Sequence, residues 1–269
     1  MKKIAIYLFL VIVVVVSLFP FYLMFISSTL STGEILSTPP KLFFGSNLSE
    51  NMENLNSKIN IFRVLLNSLF VSITYTFFSI LFSSMAGFAL AKYNFKFKKL
   101  IFIIVVMTLM IPQQVLLIPL FRMMTKIGWQ NSYKAVIIPM LANAFGVFLM
   151  RQNMINFPTE LLESGRIDGC GEIRLFFNIV LPTMRPTIGA LGIYNFMGSW
   201  GSFMWPLIIL STKDMYTLPI ALASLSGLMM KDYGMIMLGA TIATLPIMVI
   251  FLIFQKQFIS GIMGGALKG

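Results

Sequence analysis

The chain has 269 residues, 58% of them hydrophobic and only 11% charged, with a net charge of +11 and no His. A soluble domain carries about 25% charged residues, so too few are present to cover a surface in water, and the composition describes an integral membrane protein. The basic residues stand between apolar runs and form no continuous stripe, which excludes a nucleic-acid interface. The lone Cys170 excludes an internal disulfide and a cysteine-cluster metal site.

A helix needs about 20 apolar residues to cross the hydrocarbon core. Six stretches are predicted to cross: 4–27, 67–91, 100–121, 135–150, 187–210 and 234–254. The first follows Lys2 and Lys3, as a signal peptide would, but its core is too long for one and no A-x-A site follows. It reads as a retained anchor. An outer segment, 29–66, is rich in Asn and interrupted by Pro39-Pro40. With the N-terminus inside, the inner segments hold 12 Lys and Arg against 4 acids, and the outer ones 8 against 5. The hairpin Lys92-Tyr-Asn-Phe-Lys96-Phe-Lys98-Lys99 has four cations and no acid. This bias puts both termini in the cytoplasm.

The inner segment 151–185 carries the densest signal. Pro158-Thr159 before Glu160 and Glu163 is a helix start, with Thr159 as cap and the acids at the positive end of the dipole. Gly169 and Gly171 are expected to stop that helix after about three turns. A second short helix, 172–180, precedes Pro182. Ser164 and Gly165 are small, and Gly165 shares a face with Leu161 and Asp168. That ridge, flanked by Glu163, Arg166 and Asp168, fits a groove on another protein. The other reading is an amphipathic helix on the headgroups, but such helices favour a cationic face, whereas this one holds Glu160, Glu163 and Asp168 against Arg166.

The spacing of Glu163, Gly169, Ile179, Leu181 and Pro182 resembles the E-A-A-x-x-x-G…I-x-L-P pattern of permease subunits in binding-protein-dependent ABC importers. Ser164-Gly165 replaces Ala-Ala, small for small. Arg166-Ile-Asp168-Gly169 and the end of the chain from Gln255 resemble the maltose-type, smaller sugar permease. The resemblance implies an all-α integral membrane protein of about six transmembrane helices with a cytoplasmic coupling helix, the type I ABC importer transmembrane fold. It implies a first helix and outer loop over 1–62, the transmembrane domain over 63–258 and a cytoplasmic tail over 259–269. It also implies partners: a second permease as heterodimer, two ATPase subunits and an extracytoplasmic sugar-binding protein, all at a bacterial inner membrane. Glu160, Glu163, Ser164, Gly165, Arg166, Asp168 and Gly169 would dock on the ATPase. No G-x-x-x-x-G-K-[ST] loop occurs, so ATP and Mg are assigned to the ATPase, and this chain is expected to bind no cofactor or metal and to be no enzyme. The tail is expected to leave the last span at Gly264-Gly265 and reach the interface between the ATPases.

An ion-coupled secondary transporter and a permease for a non-sugar solute remain alternatives. The predicted spans contain no Asp, Glu, Lys, Arg or His to relay a proton, although a sodium site of carbonyls and hydroxyls would need none. Gln113, Gln114, Asn143, Asn195, Ser199, Trp200, Ser202 and Trp205 are the pathway candidates, since amides bond hydroxyls and rings stack on sugar faces. The same residues also suit helix–helix contacts, and Trp205 an interfacial belt.

Overall fold

The apolar runs fold as helices, and among the described residues, 2–227 and 231–266 of this computed structural model, there is no strand. In chain order they are α1 (Lys2–Ser27), α2 (Thr32–Ile35), α3 (Leu48–Lys58), α4 (Ile61–Lys92), α5 (Lys98–Thr108), α6 (Gln113–Lys126), α7 (Tyr133–Ile137), α8 (Ala144–Ile155) and α9 (Glu160–Ile167). Then come α10 (Glu172–Leu175), extended by a π-helical turn over Phe176–Val180, α11 (Leu181–Thr183), α12 (Arg185–Trp200), α13 (Met204–Ile209), α14 (Leu218–Ser226) and α15 (Tyr233–Ala266).

Three of the six expected crossings are uninterrupted: Lys3–Ser27, Ile61–Lys92 and Tyr233–Gln255. The other three are broken. The third is the pair α5 and α6, bent by 101°, because Pro112 stands at the N-cap of α6 and disfavours helix at the residue before it. The fourth bends by 41° where Asn143 starts α8, its side chain accepting from the Gly146 N–H at 2.9 Å. The fifth is divided at Gly201 into α12 and the short α13; α12 alone, at 16 residues, is about 24 Å long. The last helix continues past the expected end of its span to Ala266, and residues 267–269 of the tail lie outside the described residues.

The chain forms two compact units. The first holds Met1–Leu66 and Tyr216–Ile247. The Asn-rich segment 29–66 contains α2 and α3. Asn51 of α3 donates to the carbonyls of Ser28 and Leu30 at 2.9 and 3.0 Å. Asp232 caps α15 through the Met235 N–H and accepts from Thr32 and Asn54. This acid beside the last span is therefore a structural tie.

The second unit holds Asn67–Met215 and Met248–Gly269. Its core joins Phe88 of α4, Met150 and Met154 of α8, Phe176, Val180 and Leu191. Ser79, Ser83 and Gly87 recur every four residues, hence on one face of α4. At that face the backbones close in. A Cβ on Gly87 would lie 2.7 Å from Met150 Cβ and 2.8 Å from Arg151 N, and one on Gly146 2.4 Å from Ser83 Oγ. Small residues permit this approach, the usual way membrane helices gain packing energy.

Candidate functional site

The segment 151–185 is anchored by its start, its stop and one buried side. Thr159 does not cap α9 with its side chain; its carbonyl accepts from the Leu162 and Glu163 N–H groups at 2.9 and 3.0 Å. The hydroxyl is instead an acceptor for Lys92 Nζ at 3.5 Å. The helix is eight residues long, about two turns rather than three. Gly169 stops it as expected, with φ +80°. The Gly169 N–H reaches Arg166 O at 3.0 Å and the Cys170 N–H reaches Gly165 O at 2.9 Å, the two bonds of a Schellman close. Gly171 is no part of this stop: it is the N-cap of α10.

Leu162, 1% exposed, enters the core beside Phe88 and Phe176. Gly165 also faces inward. A Cβ there would meet Leu175 Cδ2 at 2.5 Å and Ile179 Cδ1 at 3.1 Å, so its smallness seats α9 on its own chain. The expected ridge of Leu161, Gly165 and Asp168 is corrected accordingly: Gly165 drops out. The outward face holds Glu160, Leu161, Glu163, Ser164, Ile167 and Asp168. Ile167 is 86% exposed and Ile173, just beyond, 77%. These two isoleucines were not singled out from the sequence, although they flank the glycine stop. An apolar pair in a ring of charge has the make-up of a protein-docking patch.

Arg166 leaves that face to pair with Glu172, Nε to Oε1 at 2.8 Å and Nη2 to Oε2 at 3.2 Å. Tyr93 donates its O–H to the same carboxylate. The Arg166 and Tyr93 hydrogen bonds hold Glu172 below the usual carboxylate range. Partial burial, then the neighbouring carboxylate, pushes the Tyr93 phenol up to about 12.

The pathway candidates separate into two groups. Asn143 Nδ2 donates to Asn195 Oδ1 at 2.8 Å, to Ser79 Oγ at 3.2 Å and to Tyr75 Oη at 3.4 Å. Asn195 Nδ2 donates to Ser79 Oγ at 3.0 Å. Ser79 is fully buried and Asn195 2% exposed, so this seam is an interhelical tie between α4, α8 and α12. Tyr75 and Ser79 were missed because nothing in their own helix marks them. Trp200 is buried and stacked on Phe196 at 5.6 Å. Trp205 is buried, its Nε1–H on the Ala135 carbonyl at 3.1 Å, so the belt reading of this ring is corrected. Gln113 and Gln114 are exposed at the start of α6, and Ser199 and Ser202 are half-buried at the end of α12. They do not join the seam.

Long apolar helices, broken crossings and a braced, outward-facing loop helix define an all-helical integral membrane protein. Residues 79–263 match the family described as binding-protein-dependent transport system inner membrane component, and the chain belongs to this family. It is 37% identical over 271 residues to the arabinooligosaccharides transport system permease protein AraQ of Bacillus subtilis (strain 168), covering 99% of this chain and 96% of that one. It is 35% identical to the lactose transport system permease protein LacG of Rhizobium radiobacter, covering 92% and 90%. A solved structure of a bacterial ABC transporter involved in the import of the acidic polysaccharide alginate superposes with a TM-score of 0.83 over 96% of both chains at 18% identity, which establishes a common fold. The chain is thus an all-α inner-membrane permease with the fold of ABC importer permeases.

Proposed function

We propose that this chain forms, with a second permease, the pathway for ATP-driven uptake of a sugar or oligosaccharide delivered by an extracytoplasmic binding protein. The observation that carries it is the outward face of α9, held rigidly by the chain's own core and presenting Glu160, Glu163, Ser164 and Ile167 to a partner. One of two ATPase subunits would receive that face, and ATP and Mg would be bound by those subunits. Arg166 would act by bracing, and Gly165 by seating, the docking helix. The excess of Lys and Arg on the inner segments supports cytoplasmic termini.

The sugar class is supported by the names of the arabinooligosaccharide and lactose relatives. For the solute path, Gln113 and Gln114 offer exposed amides to sugar hydroxyls, whereas the Asn143 amide donates to Asn195 and the Asn195 amide to Ser79. The complete transporter, reconstituted in liposomes with its binding protein outside, should hydrolyse ATP faster and accumulate labelled sugar when that protein carries an arabino-oligosaccharide or lactose. Accumulation driven by an ion gradient without ATP would contradict the reading and favour the ion-coupled alternative.

A further inference from the structure

Two adjacent side chains at the inner end of α4 grip both ends of the segment that carries α9. At the entry, Lys92 Nζ donates to the Ile155 carbonyl at 3.0 Å, the Phe157 carbonyl at 2.5 Å and Thr159 Oγ1 at 3.5 Å. An ammonium has three protons, and all three find acceptors here. One acceptor lies in the last turn of α8, the negative end of that helix. At the exit, Tyr93 donates to Glu172, which is fixed in turn by the two-pronged Arg166 pair. Between the two grips Leu162 lies in the core, and the Phe88 ring meets Tyr93 edge-on at 5.3 Å.

The arrangement is more than topology requires. A lysine present only to mark the inner side would extend its ammonium to water or headgroups. Lys92 instead turns back onto carbonyls 63 and 65 residues away in the chain. A helix of eight residues has too few turns to hold its own shape, so its rigidity must come from such ties. Through α4 the grips lead to Ser79, which bonds Asn143 and Asn195.

We propose that Lys92 and Tyr93 are positioning residues that clamp α9 to α4, so that a displacement of the docking helix is passed along α4 to the polar seam. This rests on the proposed docking of α9 on an ATPase. The test uses the complete transporter with a spin label on Cys introduced by Ser164→Cys in a Cys170→Ser background. Tyr93→Phe keeps the ring contact with Phe88 and removes only the hydroxyl; Lys92→Gln removes the ammonium.

Each exchange should raise the label's mobility, and the double variant should lower solute imported per ATP roughly three- to tenfold. Lys92→Arg, which keeps the charge and donors, should recover much of the ratio. Unchanged mobility in the double variant overturns the clamp, and raised mobility with an unchanged import ratio overturns its role in transmission. The docking reading fails separately: the parent's label would then be equally mobile with and without the ATPases, while the comparison of parent and double variant still decides the clamp.

Discussion

Gly87→Ala should destabilise this protein by about 1–3 kcal/mol, the usual cost of forcing atoms into a filled interior. In an unobstructed helix the same exchange is favourable by about 1 kcal/mol. The sign reverses because the new Cβ would meet Met150 Cβ at 2.7 Å and the Arg151 backbone nitrogen at 2.8 Å. A side-chain terminus can swing away, but a backbone atom in α8 cannot without separating α8 from α4. That separation would also strain the Asn143 bonds to Ser79 and Asn195. Gly198→Ala in α12 is the control, since nothing lies within 4 Å of its Cβ position. Thermal unfolding in detergent should show a lowered midpoint for Gly87→Ala and an unchanged or raised one for Gly198→Ala. Equal midpoints would refute the close α4–α8 contact. Gly87→Leu should prevent accumulation of folded protein.

Gly169→Leu should uncouple ATP hydrolysis from import while the protein remains in the membrane. Two effects combine. The left-handed backbone at φ +80° costs a residue with a Cβ about 1–2 kcal/mol, which weakens the two bonds closing α9. Nothing in this chain lies within 4 Å of the Cβ position, so any further loss reports bulk met on the partner. Gly169→Asn separates the two effects, because Asn accepts the left-handed conformation more readily. Import per ATP should fall at least about tenfold for Leu, equivalent to about 1.4 kcal/mol, and much less for Asn. Wild-type uptake by normally expressed Gly169→Leu would remove this residue from the docking site.

Much of this architecture was legible because it is local. A predominantly apolar run of 24 residues at 4–27 is a helix in lipid, where backbone groups must be satisfied within the segment. Gly169 stops α9 because only a residue without a Cβ takes that backbone at little cost. The helix over 172–180 was also legible, up to its π turn. Most of the misses share one cause: partners distant in the chain. Thr159 lost its capping role to Lys92, 67 residues away. Gly165 was placed on the outer ridge because periodicity gives the faces of a helix, and only Leu175 and Ile179 reveal which face turns inward. Lys92 and Tyr93 counted only as part of a basic hairpin, since their acceptors follow 63 to 79 residues later. Asn143 and Asn195 stood out by residue type, but their partner Ser79 lies in an apolar run where a serine is unremarked. The bends were missed because hydropathy averages across Pro112 and Gly201, while the backbone breaks there.

The proposed function requires the outward face of α9 to lie in the cytoplasm against an ATPase. Site-directed cross-linking tests it most directly. In a Cys170→Ser background, Ser164→Cys in intact cells should resist impermeant thiol reagents. In membranes of the complete transporter it should cross-link to the ATPase subunit and to no other, and nucleotide should change the yield. Labelling of Ser164→Cys from outside, or a cross-link absent from an active transporter, would exclude this placement of α9.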